Sequence, residues 1–467
     1  MHNKNKCRNF ANLNHGYINR HLIFIGMLKD FYDRESELEL LQRASDFAEQ
    51  RHSAMTVLTG RRRIGKTLLG QMLLNRNATG IYLFVGRKSE ALLCEEFEMT
   101  IREVLPDFPN GQRRFVDIFQ SLMIATKTQT ITVFVDEFQD FQYVNPSLFS
   151  DIQNIWDRHR LATHMNLVLS GSVYTMMNKI FRDAKEPLFG RADNQILLRP
   201  FSTAVIKEMM RDANPTYSND DLLALYCCTG GIPKYMQLLL EHGCTDKDSI
   251  INYVTNENSL FIDEGRYLLI QEFGRNYETY FTILSLIASG ELTQTDIQNR
   301  MGGQQNIGGF LKRLEEEYNL IAKKRPIRAK PASHTVRYEI RDIFMRFWFR
   351  YMEKHRSLIE IGNYAQLRKI VQDDYTTFSG QILERWFRSK LQESEQYVEI
   401  GGWWLPDQKM EIDIVTVDAE GNVTACEVKR QRSRYRQTLL KEKSDIMSAK
   451  VFKGANIALA CLSMDDM

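Results

Sequence analysis

The sequence predicts an α/β multidomain protein whose first large domain is built on a parallel sheet. The chain has 467 residues, more than one compact core usually holds, so about three domains are expected. Between residues 27 and 200, short apolar runs alternate with longer helical stretches, as strands and helices do in α/β domains. A glycine-rich segment joins the first of these runs to a helical stretch, which is the setting of a phosphate-binding loop.

Composition and charge narrow the class of protein. Hydrophobic residues make up 43% and charged residues 26%, so neither wholesale disorder nor a fibrous repeat is expected. The 61 basic and 59 acidic residues leave a net charge of +2, so a nucleic-acid surface would have to be a local cluster. No apolar run approaches the roughly 20 residues of a membrane helix, so no membrane partner is expected.

The seven cysteines form no paired C-x-x-C set, which fits neither a disulfide framework nor a structural zinc site. A reducing compartment follows, and we expect a cytoplasmic protein. Residues 1–26 are polar and lack the pattern of a signal peptide. They are predicted to be a disordered tail or an upstream extension of the true start.

Residues 27–200 are predicted to form the core of the first domain. Its candidate strands are residues 55–59, 81–85, 131–135, 166–169 and 195–198. Residues 201–265 lose the strand pattern, and one of their helical stretches ends in Gly-Gly-Ile-Pro at 230–233. A small helical lid is therefore predicted there.

The phosphate-binding loop has the complete pattern G-x-x-x-x-G-K-T. Its residues are Gly60, Arg61, Arg62, Arg63, Ile64, Gly65, Lys66 and Thr67. In such a loop backbone N–H groups surround the phosphates, the lysine reaches the β and γ phosphates, and the hydroxyl binds Mg²⁺. A strand before the loop and a helix over 66–75 give the required context. ATP and Mg²⁺ are the predicted cofactors.

A second nucleotide-site element is the apolar run 131–135 followed by Asp136 and Glu137. This is the Walker B arrangement, in which Asp136 holds Mg²⁺ through water. Glu137 is placed to orient or deprotonate the attacking water, so hydrolysis is expected as well as binding. The alternative is a buried strand with solvated acids at its tip.

Four segments are similar to landmarks of archaeal-type ATPases of the AAA+-like STAND class. They are F-Y-D-R-E-S-E-L at 31–38, L-S-G-S at 169–172, P-L-F-G-R at 187–191 and G-G-I-P at 230–233. The resemblance spans about 27–245 and implies that the box containing Arg34 lies near the adenine. It further implies that Ser172 senses the γ-phosphate and that Pro233 lines the nucleotide pocket. Arg191 would supply positive charge to the phosphates of its own or of a neighbouring subunit.

Residues 275–345 are predicted to be a winged helix. Three helical stretches, 277–289, 293–300 and 304–318, have helix-turn-helix spacing and precede a basic, β-rich segment. Across 312–350, eleven basic residues stand against five acidic ones, so this patch could contact the phosphates of double-stranded DNA. Winged helices also serve as plain packing modules, and the acidic run 315–317 would repel a phosphate backbone.

Residues 346–374 read as a helical connector, and 375–467 as a second α/β domain. Two strands, at 411–415 and 426–429, flank a turn-forming stretch. Glu427 and Lys429, two apart on a strand, share one face, and Asp413 on the partner strand can meet them.

This D…E-x-K pattern is similar to that of restriction-endonuclease-like, or PD-(D/E)XK, nucleases. The resemblance implies that Asp413 and Glu427 hold Mg²⁺ and that Lys429 helps to activate water. Glu384 resembles the upstream acid of that fold. A basic cluster follows, at Lys429, Arg430, Arg432, Arg434 and Arg436. Alternating charge on an exposed hairpin would give the same letters without chemistry.

The whole layout resembles archaeal-type ATPases fused to a winged helix and a nuclease-like domain. One hypothesis is an ATP-regulated enzyme that acts on DNA. The other is a STAND-type signalling switch, in which nucleotide state controls assembly of a homo-oligomer and the C-terminal domain only binds. A third reading, a P-loop that holds nucleotide without turnover, is disfavoured by Glu137.

Overall fold

The computed structural model describes residues 31–273, 277–303, 306–330, 336–405, 410–453 and 455–467, so the predicted tail at 1–26 lies outside it. The first domain contains β1 Ala54–Gly60, β2 Gly80–Phe84, β3 Ile131–Asp136, β4 Met165–Gly171 and β5 Asn194–Leu198. These strands form one sheet in the order β2-β3-β4-β1-β5. Every pairing is parallel. The predicted strands and the predicted parallel sheet are confirmed.

Helices cover both faces of this sheet. They are α1 Glu35–Gln50, α2 Lys66–Arg76, α3 Glu90–Val104, α4 Phe115–Ala125, α5 Phe141–Val144, α6 Leu148–His159 and α7 Tyr174–Arg182. Strands β1, β3 and β4 are buried along their whole length, as central strands of a doubly covered parallel sheet are. Since the strands are parallel, their carboxyl ends meet at one edge, where β1 continues into the phosphate-binding loop.

The predicted lid is helical throughout its regular structure. Its helices are α8 Thr203–Ala213, α9 Asn219–Thr229, α10 Pro233–Glu241 and α11 Lys247–Val254, and α12 Glu264–Phe273 begins at its end. Gly230 and Gly231 have φ of 60° and 76°, which the absence of a Cβ permits, and they end α9. Pro233 then starts α10, where its missing N–H costs no helical hydrogen bond.

The middle segment contains α13 Glu278–Ala288, α14 Gln294–Arg300, α15 Gly308–Lys312, β6 Ile321–Lys324 and β7 Arg337–Ile340. Strands β6 and β7 are antiparallel, and Leu292 forms a single antiparallel bridge with Tyr338 of β7. Residues 304–305 of the predicted third helix lie outside the described residues. Three helices followed by a hairpin match the sequence pattern, while the winged-helix assignment itself stays a prediction.

The C-terminal part contains α16 Ile343–Trp348, α17 Arg356–Glu360, α18 Tyr364–Glu393, β8 Tyr397–Trp404, β9 Glu411–Asp418, β10 Val423–Lys429, α19 Gln437–Met447 and β11 Ile457–Ser463. Its sheet has the order β11-β10-β9-β8, with β11 parallel to β10 and the other pairs antiparallel. The predicted domain boundaries at 345/346 and 374/375 fall inside α16 and α18.

One apolar core joins the lid, the middle segment and the long helix α18. Every residue of α16 is buried in it, and the ring of Trp386 on α18 lies 5.0 Å from that of Tyr226 on α9. The predicted connector is therefore part of a core shared by three predicted domains. Among the described helices, none is both long enough and apolar enough to cross a bilayer.

Candidate nucleotide site and acidic pocket

The phosphate-binding loop runs from the end of β1 to the start of α2. Arg63 and Gly65 have φ of 68° and 96°, left-handed values that turn the loop back before α2 begins at Lys66. This geometry leaves backbone N–H groups at a helix N-terminus, where phosphates bind. Nζ of Lys66 lies 2.9 Å from the Gly60 carbonyl oxygen and 3.1 Å from that of Arg61. The lysine is thus folded onto its own loop, and burial lowers the pKa of its ammonium group.

A hydroxyl and a carboxylate meet beside this loop. Oγ1 of Thr67 donates to Oδ2 of Asp136 at 2.7 Å. The hydroxyl of Tyr82 donates to the same oxygen at 3.0 Å, and the ring of Tyr82 is stacked on Phe134. Oxygen ligands of this kind suit Mg²⁺ that is also bound to phosphates. The residues present therefore fit the predicted metal, with Tyr82 as a residue that the sequence did not point to.

Glu137 is held in one orientation by two donors. Oγ of Ser172 lies 2.7 Å and Nε2 of Gln139 lies 2.6 Å from Oε2 of Glu137. The backbone of Glu137 has φ of 54°, an uncommon conformation for this residue type, which often marks functional sites. A Cβ at position 171 would lie 2.4 Å from Oε1 of Gln139, so Gly171 makes room for this arrangement. Ser172, expected near the γ-phosphate, is in direct contact with the predicted catalytic carboxylate.

Arg34 lies beside the end of β5, and Pro233 lies next to a contact between the lid and the phosphate-binding loop. The guanidinium of Arg34 donates to the Arg199 carbonyl oxygen at 2.6 Å, just beyond β5, and lies over the Phe201 ring. The amide of Lys234, next to Pro233, donates to the Arg63 carbonyl oxygen at 3.4 Å. The lid therefore meets the loop at Arg63, while Arg34 lies against the segment that follows β5.

Two adjoining open cavities lie near the loop. One, of about 440 Å³, is lined by Arg61, Arg62 and Ser172 among others. The other, of about 470 Å³, is lined by Asp33, Gly230 and further residues of the lid and of α18. Both include Arg199 and Arg341 in their walls, so they adjoin each other. Together they offer space for a nucleotide beside the loop.

Arg191 lies far from the loop of its own chain. Arg191 precedes β5, and the first residue of β5, Asn194, pairs with Thr56. The loop follows Gly60, which pairs with Leu198 at the other end of β5. At roughly 3.3 Å per residue, the four steps along this strand separate its two ends by about 13 Å. The guanidinium of Arg191 pairs instead with Asp157 at 3.1 Å. Arg191 therefore does not contact the loop of its own chain in this structure, and its role at the phosphates stays a prediction.

Two arginines of the loop bind acids of the second half of the chain. Arg63 donates from Nε and Nη2 to the carboxylate of Glu264, at 2.5 and 2.9 Å. The hydroxyl of Tyr235 donates to the same carboxylate at 2.9 Å. Arg61 pairs with Asp342, which begins α16. The sequence did not point to these acids, because no local sequence pattern identifies an ion-pair partner so distant in the chain.

The structure brings Asp413, Glu427 and Lys429 together on β9 and β10. The amide of Val428 donates to Oδ2 of Asp413 at 2.7 Å. Lys429 pairs with Glu427 at 2.8 Å, and Lys443 of α19 pairs with it at 3.2 Å. Burial, and next the nearby carboxylate of Glu384, raise the pKa of Asp413 to about 7.

The acids are not arranged as a three-ligand metal site. Glu384 on α18 pairs with Arg388 at 2.6 Å and with Lys324 at 3.6 Å. Across the described ranges no group of three or more His, Cys, Asp or Glu side chains converges to hold a metal. In this structure Glu384 and Glu427 are paired with basic side chains, and a Mg²⁺ site formed by Glu384, Asp413 and Glu427 stays a prediction.

The predicted basic patch at 312–350 is largely neutralised inside the protein. Lys323 pairs with Glu315 at 2.5 Å, Arg328 with Glu399 at 2.7 Å, and Arg337 with Glu411 at 3.0 Å. Contact of this patch with DNA stays a prediction. Part of its charge excess in the sequence is balanced by Glu399 and Glu411, which lie outside the patch.

The parallel sheet, the phosphate-binding loop after β1 and the acid pair after β3 together define a P-loop ATPase domain. Residues 31–239 match a family described as "ATPase domain predominantly from Archaea". Residues 348–442 match a second family, described as "Archaea bacterial proteins of unknown function".

Known proteins resemble the chain over most of its length. An uncharacterised protein of Methanocaldococcus jannaschii is 28% identical over 403 residues, covering 83% of this chain and 84% of that protein. A Walker-type ATPase of Pyrococcus abyssi has a TM-score of 0.54 at 19% identity, covering 69% of this chain and 96% of that one. It shows a shared fold. The ORC2 protein of Aeropyrum pernix is 12% identical, with a TM-score of 0.46, covering 72% of this chain and 96% of that one.

Proposed function

We propose that this protein binds and hydrolyses ATP with Mg²⁺, and that the bound nucleotide controls its C-terminal domain. The observation that carries the proposal is the ion pair between Arg61, inside the phosphate-binding loop, and Asp342, at the start of α16. It ties the nucleotide site directly to the second half of the chain.

Hydrolysis is assigned to side chains at the sheet edge. Lys66 exchanges its two carbonyl contacts for phosphate oxygens, and Thr67 and Asp136 hold Mg²⁺, which offsets the negative charge of the phosphates. Glu137 orients the attacking water and takes its proton. Ser172 keeps this carboxylate in place.

Nucleotide binding is transmitted through Arg61. The phosphates of ATP bring several negative charges next to its guanidinium and compete with the single carboxylate of Asp342. That carboxylate also caps α16 by accepting from the Met345 amide at 2.7 Å, and it follows β7 by two residues. Loss of the pair therefore frees the junction between the hairpin and α16.

For the C-terminal domain we propose cleavage of double-stranded DNA. Support comes from its element order, α18-β8-β9-β10-α19-β11, and from Asp413, Glu427 and Lys429 on adjacent strands. Arg434 and Arg436 are exposed and available to a phosphate backbone. Arg191, on the opposite sheet edge, is assigned to a neighbouring subunit's nucleotide in a homo-oligomer.

The second candidate is a STAND-type switch whose C-terminal domain binds a partner without catalysis. One observation favours it. Glu427, a proposed metal ligand, is already neutralised by Lys429 and Lys443, which is a structural rather than a catalytic arrangement of charge.

One preparation tests both candidates. ATP turnover and nicking of supercoiled DNA are measured with Mg²⁺ for wild type and for Lys66→Ala, Asp413→Ala and Glu427→Ala. Loss of turnover only in Lys66→Ala, with loss of nicking in all three variants, supports the proposal. ATP-dependent change of oligomer mass without nicking, unaffected by Glu427→Ala, supports the switch. Turnover that persists in Lys66→Ala contradicts the assigned nucleotide site.

A further inference from the structure

Ser172, which holds the proposed catalytic carboxylate, lies between the end of a strand and the start of a helix. It follows β4 directly, and α7 begins two residues later at Tyr174. The hydroxyl of Ser172 donates to Oε2 of Glu137 at 2.7 Å. Strand β4 is fixed by its pairing with β1 and β3. The position of this hydroxyl therefore also depends on what holds the first turn of α7.

The first turn of α7 is capped from another part of the chain. Its N-cap residue, Val173, has an apolar side chain, which can accept no hydrogen bond from the first N–H groups of the helix. Glu272 of α12 supplies the acceptors. Its Oε1 accepts from the Tyr174 amide at 3.1 Å, and its Oε2 accepts from the Thr175 hydroxyl at 3.0 Å. The helix dipole also stabilises a carboxylate at this position.

Helix α12 is held at both ends, so Glu272 has a fixed base. At the start of the helix, Glu264 accepts from Arg63 of the phosphate-binding loop at 2.5 and 2.9 Å. At its end, the ring of Phe273 is stacked on that of Tyr280, with 4.7 Å between the ring centres. The steps from Glu264 to Glu272 span about 12 Å of helix. One helix therefore reaches from the phosphate-binding loop to the first turn of α7.

Glu272 also borders the space offered to the nucleotide. It lines the cavity of about 440 Å³ together with Arg61, Ser172 and Tyr174. The side chain is half-buried, and both of its carboxylate oxygens accept hydrogen bonds from α7. A carboxylate repels the phosphates of ATP at short range, so nucleotide binding does not account for an acid here. Its contacts with α7 do.

We propose that Glu272 is a positioning residue for ATP hydrolysis. By capping α7 it fixes the turn at 172–173, and Ser172 then holds Glu137 where this carboxylate can take the proton of the attacking water. Without the cap the first turn of α7 frays, and the Ser172 hydroxyl leaves its place. Gln139 still donates to Glu137 at 2.6 Å, so the base is misplaced rather than lost. The inference deepens the proposed ATP hydrolysis and rests on it.

Steady-state ATP turnover and equilibrium ATP binding are measured with Mg²⁺ on the full chain for wild type and Glu272→Ala. The matched control is Glu90→Ala. Glu90 likewise accepts from the first amide of a helix, that of Phe115, and from a side chain, that of Asn145, both at 2.9 Å. We expect kcat to fall about tenfold in Glu272→Ala, less than the loss of a general base costs, while ATP binding is not weakened and the control keeps wild-type turnover. Equal kcat in Glu272→Ala and the control, or a loss caused by weaker ATP binding alone, overturns the proposal.

Two further variants separate positioning from charge and from a general loss of structure. Glu272→Gln keeps an acceptor for the Tyr174 amide and a polar group beside the Thr175 hydroxyl, so it should restore most of the turnover although the charge is gone. In a Ser172→Ala background, Glu272→Ala should lower kcat little further, because the hydroxyl through which Glu272 acts is already absent. An equal loss of kcat in both backgrounds, or no recovery in Glu272→Gln, overturns the proposal.

The same measurements distinguish this inference from the proposed function. Absence of ATP turnover in wild type defeats the proposed hydrolysis and this inference with it, whereas equal turnover by wild type and Glu272→Ala defeats the inference alone. If Glu272→Ala does not fold, Thr175→Val replaces it, since it removes one of the two contacts between Glu272 and α7. A smaller loss of kcat is then expected, and an unchanged kcat overturns the proposal.

Discussion

Removing the guanidinium of Arg63 should destabilise the protein far more than removing that of its neighbour Arg62. The carboxylate of Glu264 is 2% exposed and accepts hydrogen bonds from Arg63 and from the Tyr235 hydroxyl. In Arg63→Ala this carboxylate stays buried with one neutral donor. The side chain of Arg62, in the same loop, is exposed, so its removal changes net charge equally without that consequence.

The magnitude follows from the burial of the pair. Removing one partner of a buried ion pair costs about 3–5 kcal/mol. Arg63 is 22% exposed and Tyr235 remains as a donor, so the lower end, about 3 kcal/mol, applies. Arg62→Ala should stay within about 0.5 kcal/mol of wild type.

Urea denaturation followed by tryptophan fluorescence measures the difference. A chain of several domains need not unfold in two states. The urea midpoint of the transition in which the lid unfolds is therefore compared between variants. A double-mutant cycle with Glu264→Gln isolates the pair, since the neutral amide removes the buried charge. We expect Arg63→Ala to cost much less in the Glu264→Gln background. Equal destabilisation by Arg62→Ala and Arg63→Ala, or strict additivity in the cycle, would refute the reasoning.

Three further outcomes are expected. Glu137→Gln should bind ATP normally but lower turnover about 10²- to 10⁴-fold, measured by nucleotide binding and phosphate release; retained turnover counts against its role as the base. Tyr82→Phe should cost about 1 kcal/mol of stability, because Asp136 loses a hydrogen-bond donor. It should also raise the Mg²⁺ concentration that gives half-maximal turnover. An unchanged Mg²⁺ titration contradicts this. The third outcome is a pH dependence of stability, measured in a chelating buffer. The pKa of Asp413 is about 7 in the fold, above its usual value of about 3.9. The stability that this group contributes is then fully present below about pH 4 and is lost as pH rises through about 7. Wild type should lose more stability than Asp413→Asn between pH 5 and 8, and parallel profiles would disprove the shift.

The sheet and the nucleotide residues could be predicted because their determinants are local. Each central strand is a short apolar run, and the functional residues follow directly at a strand end. Lys66 and Thr67 lie in a contiguous motif, and Asp136 ends its strand. Parallel pairing then brings these strand ends together without any further information.

The remaining contacts depend on partners that the sequence does not specify. Tyr82 meets Asp136 only because β2 pairs with β3, and Glu264 meets Arg63 from 201 residues away. The same limit explains the basic patch at 312–350. A count of charges along the chain shows an excess of basic residues in this patch. Only the fold shows that Arg328 and other basic residues of the patch pair with acids distant in the sequence.

One short strand connects the nucleotide site to the cavity lined by Arg337, Glu339, Glu384 and Asp413. Asp342, the partner of Arg61, follows β7, and β7 carries Arg337 and Glu339 into the wall of that cavity. In the proposed function, nucleotide acts on the C-terminal domain through this connection. Nucleotide can shift the conformation of this segment only by as much as it binds one form more tightly. A tenfold preference, about 1.4 kcal/mol, requires no more than the weakening of one ion pair, which ATP phosphates beside Arg61 would provide.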